Sequence, residues 1–338
     1  MGSALVKIRS AVRASLSQVL TEKPSAKAFG VAVSGGADSL ALAGALALES
    51  ENLSIDVFAV IIDHQLQSGS DVVAEESAKK LNSLGITNVW IKKVEVEIKD
   101  GLESSARRAR YQELHSFFEE QELAVIFLGH TKNDQAETVL LGLARGSGTR
   151  SLSGMARSQE RFVRPLLDIS RRETEAACDE LGVKYWQDPH NEDRTYLRVR
   201  ARKLMPILEE EIGPGITDAL ARSAKLLRDD ADALDGYANQ FFEKIDPEDI
   251  EINELIKLPR AVRSRVIRLA AYHLGAPAGS LSADHIQPIE ALITQWRGQG
   301  ASSLPGGVKV ERISGRLSLS RPGGEIGEVE DLSESGIS

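Results

Sequence analysis

The chain has 338 residues, 42% hydrophobic and 5% aromatic, which supplies a well-buried core and, at ~100–200 residues per domain, suggests two domains rather than one disordered chain. Forty-one basic against 50 acidic residues leave a formal charge of -9, which excludes nucleic-acid binding by bulk positive charge but leaves room for local basic patches. One cysteine excludes an intrachain disulfide, a multi-cysteine zinc site and a two-thiol relay, and it points to a reducing, cytoplasmic setting.

Leu5, Ile8, Val12, Leu16 and Val19 or Leu20 fall at helical spacing, so residues 1–21 read as an amphipathic helix; Lys7, Arg9 and Arg13 without an acid also fit an organelle transit segment. Residues 28–145 alternate β-rich runs with helical patterns, the layout of a parallel sheet covered by helices. The expected strands are Ala28–Val33, Ile55–Ile62, Val89–Val94 and Val125–Gly129, with crossover helices at Leu40–Leu48, Val72–Leu84 and Glu103–Phe118. Residues 161–202 read as strand, helix and loop, and the helix Ser170–Leu181 opens on a capping box formed by Ser170 and Glu173. Its Cys178, flanked by Ala176 and Ala177, reads as small core filler. Beyond Pro214-Gly215 the pattern turns helical, with segments at Ile216–Phe242, Leu258–Leu274 and Ser282–Trp296. A hairpin pairs "VKVERI" with "RLSLS" across Ser314-Gly315. From Gly323 onward five acids and no base read as a solvated tail. No apolar run approaches the ~20 residues that span a bilayer, so no membrane role is expected.

In a parallel sheet the ligand lies beyond the carboxyl ends of the strands. The first strand runs directly into Ser34, Gly35, Gly36, Ala37, Asp38 and Ser39 and then a helix. Glycines let the backbone approach an anion, the serines add hydroxyls, and the helix start presents free N–H groups, so this is a phosphate cradle. The lysine of the common P-loop and the G-x-G-x-x-G dinucleotide pattern are both absent. Asp38 would repel phosphate unless a cation lies between them, and Mg²⁺ meets that need. Asp134 and Glu137 stand three apart at the start of a helix, so one face can carry both to the crevice or, equally, both can offset the helix dipole. Arg194, Arg198, Arg200, Arg202 and Lys203 form one acid-free basic run, and Arg260, Arg263, Arg265 and Arg268 another; each is a candidate RNA-phosphate surface or a solvated helix face.

The loop Ser34–Ser39 resembles the pyrophosphate loop of the N-type ATP pyrophosphatases, which cleave ATP between the α and β phosphates. Further motifs narrow the resemblance: Asp63-His64-x-Leu66, Glu103 to Tyr111, Gly129-His130-Thr131-x-x-Asp134-Gln135-x-Glu137-Thr138, Arg145-Gly146-Ser147-Gly148, Arg164-Pro165-Leu166-Leu167, Asp188-Pro189-x-Asn191 and Tyr196-x-Arg198-x-Arg200. In order and approximate spacing they resemble the tRNA(Ile)-lysidine synthetase family, densely over residues 28–211. The later "LPRAVRSRVIRLA" and Leu304-Pro305-Gly306-Gly307 are similar to it as well.

This resemblance implies an adenine nucleotide α hydrolase-like parallel sheet in residues 1–211, a smaller, mostly helical tRNA-binding domain with a C-terminal hairpin in 212–321, and an acidic disordered tail in 322–338. It implies an AMP-forming carbon–nitrogen ligase that adenylates C2 of the wobble cytidine in a CAU-anticodon tRNA(Ile) and then lets free L-lysine displace AMP. The implied ATP-binding residues are Ser34–Ser39 with Asp63 and His64, and the implied metal ligand for Mg²⁺ is Asp38. Arg110, His130, Asp134 and Glu137 are the implied catalytic residues, the last two also holding the lysine ammonium. Arg198, Arg200, Arg202, Arg263 and Arg265 are the tRNA candidates. The chain departs from the family at Gln67, where arginine is usual, and at Val199, where an asparagine is usual between two arginines. Another AMP-forming enzyme of the superfamily, acting on a different tRNA base or a small molecule, stays open, as does a non-catalytic ATP-binding module. The oligomeric state is also open, a homodimer included.

Overall fold

The computed structural model describes residues 3–321 apart from Ser68, Lys99, Asp100, Ser147 and Ala278, and of His190 and Asn191 the backbone alone. The expected acidic tail lies outside the described residues. The chain divides into two compact units, Met1–Arg228 and Asp229–Ser338, the division falling inside a long helix.

The first unit opens on α1 (Ala4–Glu22), whose Ile8, Val12, Leu16 and Val19 are buried. Their spacing gives one apolar stripe. There follow β1 (Ala28–Val33), α2 (Ala37–Leu53), β2 (Asp56–Asp63), α3 (Ser70–Ser83), β3 (Asn88–Lys93), α4 (Leu102–Glu120), β4 (Ile126–Leu128) and α5 (Lys132–Ala144). A short α6 (Thr149–Leu152), β5 (Ser158–Gln159), β6 (Phe162–Val163), α7 (Arg171–Glu180) and α8 (Leu197–Glu211) complete it, apart from the start of α9 (Ile216–Phe242). The sheet order is β3-β2-β1-β4-β6-β5. β1 pairs in parallel with both β2 and β4, which makes it the point where strand order reverses and a crevice must open. α2 is buried on every side over Leu40–Ala47, as a helical stretch of Ala, Leu and one Gly must be; a Cβ on Gly44 would come within 2.6 Å of Leu181. α1 packs against α2 and α7, and its Arg9 and Arg13 each reach the buried Glu49 at 2.7 Å. The helix α1 is thus built into this core. Cys178 is buried, donates to the Ala37 carbonyl at 3.4 Å, and burial pushes its thiol up to about 12.

Residues 197–202, expected as the loop that ends the 161–202 stretch, are instead the start of a helix. This is α8, anchored by Val199, Ala201 and Met205, with Pro206 inside it. An interior proline and only three buried side chains hide such a helix from periodicity.

The second unit takes the rest of α9, then β7 (Asp249–Glu251), α10 (Ile252–Leu255), α11 (Arg260–His273), α12 (Ala283–Thr294), β8 (Ser302–Ser303), β9 (Lys309–Ile313) and β10 (Arg316–Ser320). The expected hairpin is present: β9 and β10 pair antiparallel with Ile313 opposite Arg316. Ser314 and Gly315 take φ of 48° and 82°, the left-handed pair a two-residue hairpin turn demands. The core comprises Val266, Ile267 and Ala270 of α11, Ile289 of α12 and Leu317 of β10. Arg263 requires a correction. It is buried among these residues, bonded to Glu290 at 2.7 and 2.9 Å, so it faces the core and is not available to RNA phosphate. Arg265 is half-buried and holds Asp235 at 2.5 Å. Among the described residues no helix is long and apolar enough to cross a membrane.

Candidate active site

The site is assembled at the carboxyl ends of β1, β2 and β4. β1 ends in Ser34–Ser39, and Gly36 caps the N-terminus of α2, whose first turn leaves N–H groups without intrahelical partners. Gly35 has φ of +81°, and a Cβ there would lie 2.5 Å from Ser77 Oγ, so the turn needs glycine on both counts. The loop is held in shape from within: the Ser39 hydroxyl donates to the Gly36 carbonyl at 3.0 Å and accepts from Ser34 N–H at 3.2 Å. It is also tied outward, because the Gly35 carbonyl accepts from Trp186 N–H at 2.9 Å. At the end of β4, a Cβ on Gly129 would come within 3.0 Å of the Asp38 carbonyl. Glycine there lets the segment carrying His130, Asp134 and Glu137 pack directly on the phosphate loop.

A crevice of about 730 Å³ results, lined among others by Ser34, Asp38, Ser39, Arg110, His130 and Asp134. Beside it a second cavity of about 270 Å³ is lined by Asp63, His64, Gln67, Trp186 and Asp188, with Arg110 bordering both.

Three carboxylates meet around one guanidinium. Arg171, the first residue of α7, lies 3.4 Å from Asp38, 3.2 Å from Asp134 and 3.9 Å from Glu137. Arg202 of α8 donates to Glu137 at 2.8 Å. Asp38 also accepts from the Thr174 hydroxyl. Burial pushes the Asp38 carboxyl up to about 6 despite Arg171, and the neighbouring Asp134 adds to the rise. Burial also works to raise Asp134, yet Arg171, His130 and the Thr131 N–H and O–H, at 2.8 and 2.9 Å, outweigh it and hold it below the usual carboxylate range. Glu137, only 2% exposed, is pushed up by burial more than Arg202 lowers it. Burial lowers the His130 imidazole, so the ring is neutral, and its Nδ1 is buried without a partner. His64 is lowered first by burial and then by Arg110, and its Nδ1 is likewise buried and unpartnered, as is Asp63 Oδ2. Arg110 is half-buried with no side-chain partner among the described residues, and burial draws its pKa down.

Of the residues singled out in the sequence, Ser34, Gly36 to Ser39, Asp63, His64, Arg110, His130, Asp134, Arg198 and Arg202 line these two cavities; Glu137 sits behind Arg202 rather than in the crevice wall, and Arg263 and Arg265 belong to the second unit. Sequence reasoning missed Arg171 altogether and read Arg202 only as an RNA contact. A cation in the first turn of a helix opposes the macrodipole, so Arg171, directly after the Ser170 cap, carried a signal that acids must lie near it. Arg198 shares the crevice wall with Arg202 and stands 3.5 Å from Glu103, while Arg200 is exposed. Gln67 donates to Asp188 at 2.8 Å, and Val199 is buried.

Comparison with known proteins agrees with this geometry. A PP-loop domain model matches residues 8–208 and a TilS substrate binding domain model matches residues 251–318. The tRNA(Ile)-lysidine synthase of Thermobifida fusca (strain YX) is 45% identical over 312 residues, covering 91% of this chain and 96% of that protein. The chain belongs to the tRNA(Ile)-lysidine synthase family. Another member, from Streptomyces coelicolor, is 48% identical over 300 residues, covering 87% of this chain and 85% of its own. The sheet also resembles that of the U34-tRNA thiolase NcsA from Methanococcus maripaludis, with a TM-score of 0.54 at 18% identity over 67% of this chain and 79% of that one. That likeness is one of fold alone.

Proposed function

We propose that the chain ligates free lysine to C2 of the wobble cytidine of a CAU-anticodon tRNA(Ile), consuming ATP and forming lysidine, AMP and pyrophosphate. Membership of the family supports this reading. The observation that carries it is the grouping of Asp38, Asp134 and Glu137 around Arg171 against the phosphate loop, because one reaction here needs both a phosphate grip and acids for an amine.

The C2 oxygen of cytidine attacks the α-phosphorus of ATP and pyrophosphate departs; the lysine ε-nitrogen then attacks C2 and AMP leaves. In this reading the amides of Ser34–Ser39 meet the charge that grows on pyrophosphate, and the cavity at Asp63 and His64 takes the nucleoside. Arg110, bordering both cavities without a side-chain partner among the described residues, faces the α-phosphate. A neutral His130 hydrogen-bonds the reacting groups without adding charge. Asp134 holds the ammonium, Glu137 holds Arg202 beside it at 2.8 Å, and the ammonium must give up a proton to solvent before attack. Mg²⁺ fits the donor set: Asp38 offers hard carboxylate oxygens beside Asp134, in a place where burial already opposes negative charge. When bound it would offset the charge of the phosphates.

The test incubates the chain with a CAU-anticodon transcript, ATP, Mg²⁺ and radiolabelled lysine. Label should enter the RNA with one AMP and one pyrophosphate released per lysine. ADP as the nucleotide product, or label that stays out of the RNA, would overturn the proposal.

A further inference from the structure

Arg145 belongs to a motif conspicuous in the sequence, yet the reaction proposed above gives it no task. It lines a third hollow of about 280 Å³, walled by α4, α5, α6 and the start of α8. The charged side chains of that wall are Arg107, Arg145, Arg198 and Glu103, three cations to one carboxylate. Glu103 stands 3.5 Å from Arg198, which leaves Arg107 and Arg145 as the surplus. Arg107 lies over the Tyr111 ring, 4.7 Å from its centroid, a contact that fixes the plane of its guanidinium. The Arg145 side chain is exposed, with no partner among the described residues. Arg107 and Arg198 also line the large crevice, so the two hollows share a wall.

A nucleotide whose base enters the crevice brings its own backbone phosphates to the rim, one nucleotide away on either side. We infer that this hollow holds an RNA backbone phosphate flanking the reacting cytidine, with Arg145 and Arg107 as its donors. This inference rests on the reading that RNA is the substrate. Arginine suits the task because its planar fork meets phosphate oxygens in pairs. The site is electrostatic and lies in the first unit, so it positions the strand without reading sequence.

The test measures binding of a fluorescent CAU anticodon stem-loop by anisotropy between ~50 and ~200 mM salt. Arg145→Ala should weaken binding about tenfold at low salt and reduce the slope of log affinity against log salt by about 1. Arg145→Lys should restore most of that slope, and the dissociation constant for ATP should be the same in all three proteins. An unchanged slope for Arg145→Ala overturns the site, as does an ATP affinity that falls in step with RNA affinity. Lysine incorporation by the unaltered chain reports on the parent reading separately. Incorporation together with an unchanged slope removes this site alone, whereas a reduced slope without incorporation keeps an RNA site and removes the reaction.

Discussion

The two units both bury ionised side chains, but on opposite plans. In the second unit Arg263 and Glu290 form a one-to-one pair at 2.7 Å, each side chain about 9% exposed, inside an otherwise apolar core. In the first unit Arg171 is divided among Asp38, Asp134 and Glu137 at 3.2 to 3.9 Å, and Arg202 takes a share of Glu137 at 2.8 Å and of Asp134 at 4.0 Å. Three carboxylates against two guanidiniums leave negative charge in excess, and most of these contacts are long. A closed pair locks a core. An incompletely neutralised cluster on a cavity wall invites another cation, whether ammonium or divalent metal, and its members can shift partners without leaving any charge stranded.

Removing a member of the shared cluster is expected to have the largest effect. Asp134→Ala should lower lysine incorporation by ~10³-fold or more, as loss of a preorganised electrostatic contact does, while ATP binding measured by equilibrium dialysis stays within a few-fold. Glu137→Ala should behave alike and free Arg202. Undiminished turnover in either variant would remove the amine-binding role. The locked pair breaks differently. Arg263→Ala strands a buried carboxylate and should cost ~3–5 kcal/mol in the second unit, whereas replacing Arg263 and Glu290 together by Met and Leu should cost little. Urea denaturation of the three proteins decides between them. A stable Arg263→Ala protein that had lost only RNA affinity would restore the surface reading.

What the sequence disclosed follows the same division. The phosphate loop was legible because strand, glycines, serines and helix follow one another without a gap, and the hairpin because Ser314-Gly315 announces its own geometry. Charge partnerships were not. Around Arg263 the chain shows no acid nearby, and its partner Glu290 is 27 residues away; Glu137 is 65 residues from Arg202, and Asp38 is 133 from Arg171. Local composition cannot tell an arginine turned to solvent from one turned inward to an acid that only the fold supplies. α8 was hidden for a different reason, since Pro206 and a narrow buried stripe weaken its periodicity.

A smaller effect separates a capping contact from both kinds of buried charge. Burial works to raise Glu173, but Lys7 at 2.5 Å and the N–H and hydroxyl of Ser170, both at 2.7 Å, prevail and bring it to about 2, against 4.5 ordinarily. A depressed carboxylate stabilises the fold fully above its unfolded value, and that contribution is lost as pH falls through the folded one. Glu173→Gln should therefore cost about 1 kcal/mol near neutral pH. In urea titrations the gap between variant and parent should hold down to about pH 5 and narrow below it. A gap that widened in acid would place the stabilisation elsewhere.

The smallest expected change concerns Gln67, which stands where the family usually has arginine. Its amide donates to Asp188 at 2.8 Å on the wall of the nucleoside cavity, joining the segment after β2 to the one that follows Trp186. A neutral donor makes this contact, so it should be nearly insensitive to salt, unlike an arginine–aspartate pair. Gln67→Ala gives up one hydrogen bond to a charged group and should raise KM for ATP about three- to tenfold with little change in kcat. Gln67→Glu sets two carboxylates against each other and should raise it further, by an amount that added salt partly recovers. Gln67→Arg should keep a low KM while making it salt-dependent. If all three variants matched the parent across the salt range, the contact would carry none of the ATP affinity, and the departure from the family at this position would be functionally silent.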